Sequence, residues 1–155
     1  MGLDMYLDRT TAGGAEEVGY WRKANAIHKW FVDNVQNGED DCQRYDVTPA
    51  QLTELLVTVN TVLDSVTLID DTVSNGYTIN SFGVRDPILE DGKVIADPSV
   101  AAQLLPTADG FFFGNADYDE RYVRILQETK AILEHALADV ESGDSAAQFT
   151  YQASW

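Results

Sequence analysis

The sequence predicts an α+β domain. Three main helices pack with a small antiparallel sheet, and a β-hairpin is inserted between the second and third of them. Three observations predict it. The segments Leu3–Asp8 and Gln148–Gln152, near the two ends of the chain, alternate with the period-two pattern of a strand. Three long segments between them carry apolar residues at spacings of three and four, the period of a helix. Residues 65–97 lack that pattern and contain the turn pairs Asn75-Gly76 and Asp91-Gly92. At 155 residues the chain is the size of a single domain, 1–155. A chain of this length buries roughly 70% of its unfolded surface, so a core needs no disulfide or metal.

In chain order, Leu3, Met5 and Leu7 face the core from a first strand, with Asp4, Tyr6 and Asp8 on its other side. Thr10–Gly14 is a small-residue connection. Glu17–Gln36 reads as the first helix. Tyr20, Ala24, Ile27, Phe31 and Val35 form its apolar stripe, and Asn37-Gly38 supplies a left-handed C-cap. Trp21, Asn25, His28 and Val32 run beside that stripe along the border of the core, and Trp30 lies on the opposite border. The second helix has Thr48 at the N-cap, Pro49 at N1 and Gln51 completing a capping box, with Val47 stapled to Leu52. Its buried stripe is Leu52, Leu55, Leu56, Val59, Val62 and Leu63, and it ends near Asp64.

Within 65–97, Tyr77–Ile79 is a strand candidate. Ile88–Glu90 and Lys93–Ile95 form a hairpin about Asp91-Gly92, with Pro87 tolerated at the strand start. Asp97-Pro98 opens a short helix through Leu105. Gly110–Gly114 is an aromatic run bounded by glycines. The third main helix spans about Asp117 to Glu141, with Tyr118, Tyr122, Ile125, Thr129, Ile132, Leu133, Ala136 and Val140 as its stripe. Residues 142–155 form a C-terminal tail whose strand docks beside the first.

The chain carries 26 acidic and 10 basic residues, a net charge of −16, with 17 Asp against 9 Glu and only four Lys. An apolar fraction of 45% is too high for a disordered acidic chain. The charge opposes direct binding to nucleic acid or to an anionic membrane, because phosphate is repelled. The acids cluster in connections such as Glu39–Asp41, Asp70-Asp71 and Glu90-Asp91 rather than in the ordered rows that mimicry of a phosphate backbone requires. Arg22, Lys23 and Lys29 form a basic spot on the first helix. No apolar run approaches the ~18 residues of a membrane span. No signal peptide is visible, and the single cysteine, Cys42, fits a reducing compartment, so a cytoplasmic location is expected.

Four constellations are candidates for function. Trp21, Arg22, Asn25 and His28 offer a ring to stack on, a guanidinium for an anion, an amide and an acid or base. The plainer alternative is that Asn25 and His28 satisfy backbone groups at the border of the core, with Arg22 paired to local acid. His28, Asp41 and Cys42 supply the residue types of a base, an orienter and a thiol nucleophile, although acidic neighbours raise a thiol's pKa and oppose the thiolate. Asp117-x-Asp119-Glu120 is either a hard-cation cluster or a helix start in which Asp117 is the cap and Asp119 and Glu120 favour the helix dipole, and the helix start is the expectation; no metal and no cofactor are predicted. Phe111, Phe112, Phe113 and Trp30 are candidate anchors for a protein partner, or core residues. Walker, dinucleotide, nucleophile-elbow and His-Glu-x-x-His motifs are absent from the sequence.

Several segments together carry a resemblance: Met1–Leu7, Gly19–Val32 continuing to Asp40-Asp41-Cys42, Leu104–Thr107, Gly110–Gly114 running on to Tyr118-Asp119-Glu120, and Tyr151–Trp155. In these segments and their order the chain resembles a group of small phage and prophage proteins. The resemblance implies a virus-encoded protein acting in the cytoplasm of an infected prokaryote, and it carries over no catalytic residue. The leading expectation is a non-enzymatic accessory protein that binds a host or phage protein, with host takeover or counter-defence as roles. The alternative is a small-ligand or nucleotide-binding protein, or a small enzyme, using the Trp21, Arg22, Asn25 and His28 face. A structural part in the virion is a third reading.

Overall fold

Leu3, Met5 and Leu7 have no exposed surface, and Phe149, Tyr151 and Ala153 are likewise buried. The two end segments therefore lie side by side as central strands. In the computed structural model, which describes residues 2–110, 113–141 and 148–155, the elements are β1 (Asp4–Thr11), β2 (Gly14–Arg22), α1 (Asn25–Asn34), β3 (Tyr45–Val47), α2 (Pro49–Ser65), β4 (Leu68–Ile79), β5 (Arg85–Ile95), α3 (Ser99–Leu104), α4 (Glu120–Glu141) and β6 (Gln148–Ser154). The molecule is a mixed α+β fold with two antiparallel sheets. The larger has the order β2-β1-β6-β3, and the smaller is β4 with β5. In the larger sheet β6 lies beside β1, as expected, with Leu7 paired to Tyr151.

The first predicted helix is corrected at its start. Gly14–Arg22 is a strand that folds back on β1, from Thr11 opposite Gly14 to Asp4 opposite Arg22. Gly19 and Trp21 point inward, whereas Tyr20 and Arg22 point out. Tyr20 is thus no part of a helical stripe; its hydroxyl donates to Asp4 Oδ1. A side chain at Gly19 would collide with Ile132 of α4, whose Cγ2 stands 2.5 Å from where a Cβ would sit. Glycine here lets α4 approach the sheet. The chain then turns through Lys23, at φ 55°, whose N–H donates to Leu3 O at 2.7 Å. Helix α1 begins only at Asn25 and ends at Asn34, with Val35 rather than Asn37 as its C-cap; Asn37 and Gly38 are left-handed in the turn that follows.

Helix α2 starts as its sequence says. Thr48 Oγ1 accepts the Gln51 N–H at 3.1 Å, and Gln51 Oε1 accepts the Thr48 N–H at 2.9 Å. Its Leu52, Leu55, Val59 and Val62 meet Leu126, Leu133 and Ala136 of α4 in the core. The short strand β3, on the far edge of β6, had no sequence signal of its own.

The hairpin is also corrected. Its strands are longer than predicted, and its turn is at 80–84 rather than at Asp91-Gly92. Asp91 and Gly92 lie inside β5 opposite Thr72 and Asp71. A Cβ on Gly92 would stand 2.5 Å from Val73 Cγ2, so the glycine makes room for the side chain of the facing strand. Asn75-Gly76 is a bulge in β4, with Gly76 at φ 87°. The base of this arm is tied to the body. Ile95 is buried and its N–H donates to Tyr118 O at 3.0 Å, just before α4.

Candidate functional site

The expected Trp21, Arg22, Asn25 and His28 face does not converge. Trp21 belongs to β2, is buried, and donates from Nε1 to Thr129 Oγ1 at 2.9 Å. Asn25, the first residue of α1, is buried with its amide fully engaged. Nδ2 donates to Phe113 O and Asn115 O at 3.2 and 3.0 Å, and Oδ1 accepts the Ala108 N–H at 3.1 Å. It clamps the loop before α4. Arg22, by contrast, is exposed.

His28 is buried one helical turn further along, away from that loop's polar groups. Its Nδ1 is 2.7 Å from the Tyr151 hydroxyl and its Nε2 is 3.0 Å from Asp40 Oδ1. A carboxylate only accepts, so Nε2–H donates to Asp40, and Nδ1 is left to accept the Tyr151 O–H. The whole chain of bonds is satisfied with a neutral imidazole. Burial lowers the His28 pKa from its ordinary 6.5, and the neighbouring Asp40 carboxylate opposes that effect only in part. Burial likewise pushes the Tyr151 phenol well above its ordinary range, so it keeps its proton. Phe113, Tyr151 and Trp155 surround the imidazole, with ring centroids 5.5, 6.2 and 6.1 Å away.

This arrangement separates the residues expected to act as a thiol dyad. Both ring nitrogens of His28 are taken, and among the described residues neither is bonded to Cys42. Cys42 is half-buried at φ 58°, and its carbonyl accepts from Gln152 Nε2 at 3.0 Å. Asp41 accepts from the Tyr45 hydroxyl and the Gln43 N–H, at 2.9 and 3.1 Å. The loop at 39–44 is therefore held in shape by its polar groups, with Asp40 rather than Asp41 facing the imidazole.

Asp119 is buried, and its Oδ1 accepts the N–H groups of Arg121 and Tyr122 at 3.0 and 3.1 Å. It is the cap of α4, which begins at Glu120, so the cap lies two residues later than the expected Asp117. Among the described residues no three His, Cys, Asp or Glu side chains cluster so as to hold a metal ion. Trp30 and Phe113, expected as partner anchors, are 7% and 6% exposed and belong to the core. Phe111 and Phe112 lie outside the described residues.

Two features escaped the sequence reading. The first is the β4–β5 arm, where Phe82 is 89% exposed, Ile79 65% and Leu89 62%, with Tyr77, Val84 and Ile88 also open to solvent. Pieces of both strands were readable, at Tyr77–Ile79, Ile88–Glu90 and Lys93–Ile95, but not how much of their apolar surface stays open among the described residues. The second is a groove of two adjoining cavities, about 340 and 640 Å³, where the β2–α1 junction, the start of α4 and the arm come together. Lys23, Gly114, Asn115 and Arg121 line both. The sequence reading had noted Arg22 and Lys23; Arg85, Arg121 and Arg124 join them only in three dimensions.

No protein-family model matches the chain, and neither a curated protein nor a solved structure was found to be similar to it.

Proposed function

We propose that this chain is a small virus-encoded accessory protein that works without catalysis, by binding a host or phage protein in the cytoplasm through the β4–β5 arm. The observation that carries the reading is the apolar surface of the arm, left open by its own fold. A two-stranded ribbon is marginal by itself in water, and each of its outer edges presents unpaired backbone groups to any strand that approaches. An exposed apolar patch of this kind marks a surface that another molecule covers.

The chemistry of the partner follows from the charges on the arm. Asp70, Asp71, Asp86, Glu90 and Asp91 outnumber Arg85 and Lys93, so the partner presents an apolar cleft with a basic rim. The phage-like segments of the sequence support the viral setting. The lack of any described helix long and apolar enough to cross a membrane agrees with a partner met in solution.

The test is affinity capture from a bacterial lysate with the full chain and with a Phe82→Ser/Ile79→Ser variant, followed by reassembly from the purified partner. One protein captured by the natural chain, lost with the variant and rebound in purified form at 1:1 stoichiometry is the expected result. Equal recovery by the variant, or no partner that reassembles, overturns the reading.

A further inference from the structure

The basic residues of this acidic protein fall into two groups. Arg9, Lys29, Arg44, Lys93 and Lys130 each lie within ion-pair distance of a carboxylate, at 2.7 to 3.8 Å. Arg22, Lys23, Arg85, Arg121 and Arg124 have no carboxylate partner among the described residues. Acids outnumber bases 26 to 10, so an exposed cation has carboxylates to choose from nearly everywhere on this surface. The five that find none are the five that line the groove. We propose that the groove is a binding site for a small polyanion bearing an aromatic ring, in chemical class a nucleoside polyphosphate.

The shape of the groove is built rather than incidental. Lys23 is held in the left-handed region at φ 55° by its N–H bond to Leu3 O. Gly114, at φ 90°, lies so close that a Cβ on it would be 3.0 Å from Lys23 Cβ. The Asn25 clamp fixes the loop that carries Gly114 and Asn115. On the other wall, Arg85 sits 4.6 Å from the centroid of the half-exposed Tyr77 ring. The groove therefore combines an aromatic ring with four guanidinium groups and an ammonium. Guanidinium forks match the paired oxygens of phosphate. The two cavity volumes fall in the range of small-ligand sites, roughly 300–1,000 Å³.

Three acids also line the inner cavity, and they bound the proposal. Across the whole groove the five cations stand against the three carboxylates of Asp117, Asp119 and Glu128, and Asp119 Oδ1 is already bonded to two N–H groups of α4. Screening limits electrostatic reach to about 8 Å at physiological salt, so the groove and not the net charge governs a ligand contained within it. A nucleic-acid strand would run out of the groove over acidic surface, where each further phosphate is repelled. The ligand is therefore the nucleotide and not the polymer.

Isothermal titration of the full chain with ATP, GTP, CTP and UTP tests this, with inorganic tripolyphosphate, free adenosine and a twelve-nucleotide single strand as comparisons. Saturable binding of at least one nucleotide is expected, weaker binding of tripolyphosphate, and none of adenosine. Arg121→Gln should weaken the nucleotide by about tenfold or more, the effect of losing one charge-assisted hydrogen bond. Tyr77→Ala should weaken the nucleotide and leave tripolyphosphate unchanged. Lys130→Gln, a paired cation away from the groove, should change nothing. All three side chains are at least partly open to solvent, and circular dichroism checks that each variant keeps its fold. No binding of any nucleotide at millimolar concentration, equal loss in Lys130→Gln and Arg121→Gln, or tighter binding of the oligonucleotide overturns the proposal.

Discussion

The two sheets of this molecule are built from the same kind of sequence and end in opposite circumstances. In β1 and β6 the inward residues, from Leu3 to Leu7 and from Phe149 to Ala153, disappear beneath α1, α2 and α4. In β4 and β5 Ile69, Tyr77, Ile79, Ile88 and Leu89 stay open to water, while Leu68, Val73 and Val94 are half-buried. Alternation alone does not decide whether a strand face is buried. What decides it is whether a helix packs over the strand, and α4 packs against β2 of the larger sheet, whereas the arm is hydrogen-bonded to the body at its base, at Ile95. The body is thus expected to carry the stability of the molecule, and the arm to carry surface for use elsewhere.

The largest effect should come from the body. Phe31 is fully buried and stacks on Tyr151, with ring centroids 3.8 Å apart and planes 7° from parallel. It joins α1 to the central strand β6, whose Tyr151 also bonds to His28. Phe31→Ala removes those contacts and leaves a cavity between elements that cannot close over it, at a cost of about 3–5 kcal/mol. That is a large share of the roughly 5–15 kcal/mol that stabilises a domain. Urea denaturation followed by tryptophan fluorescence measures it, since Trp21 and Trp30 are both buried. A loss below about 1 kcal/mol would mean that the body is not the stabilising unit.

A second effect separates the regions by pH. His28 is held neutral in the folded body, whereas in the unfolded chain it titrates at its ordinary 6.5. As pH falls through that value the unfolded chain takes up a proton that the folded chain refuses. The contribution of His28 to stability is therefore full above 6.5 and is lost as pH falls toward the lowered folded value. The groups facing it, Asp40 and Tyr151, leave this sign unchanged, since burial is the leading cause of the shift. Denaturation at pH 7.5 and 5.5 should show the natural chain losing more stability on acidification than His28→Gln. The difference between the two chains cancels the response of the carboxylates they share. Equal losses would show that the imidazole is not buried as a neutral base.

Which parts of this were readable in advance has a physical pattern. β1, α2 and β6 were, because each carries its own complete signal: an unbroken alternation, or a cap, a proline and a stripe together. β2 was not. Its inward set includes Gly19, which has no side chain to register as apolar, while a bulge at Val18 breaks the alternation and Tyr20 falls on the other face. The alternation was hidden, and the spacing from Tyr20 to Phe31 imitated a helix. Asp91-Gly92 was read as a turn because turn propensity is local, whereas the need for room beside Val73 lies on the partner strand. The site divides in the same way. Asn25 and Arg22 were singled out from one short segment, but His28 meets Tyr151 across 123 positions, and Arg85 and Arg121 come to line one cavity from separate elements. No spacing within a single segment encodes either meeting.

The smallest effect on stability should come from the same residue type in the arm. The turn at 80–84 is held by Asn80, whose Oδ1 accepts the N–H groups of Phe82 and Val84, both at 3.0 Å. Gly83 supplies the left-handed step at φ 77° and donates its N–H to Asn80 O at 3.0 Å. None of these bonds involves the Phe82 side chain, which is 89% exposed. Phe82→Ala should therefore leave stability within about 0.5 kcal/mol of the natural chain, against several for the identical change at Phe31. The ring does no work in the fold that carries it, so its role is external: the same substitution should weaken partner binding by about 2 kcal/mol or more if Phe82 is the anchor of the arm. Paired measurements on one variant decide the matter. A stability loss comparable to that of Phe31→Ala would show that the arm folds over its own apolar residues, and the distinction between the two sheets would fall with it.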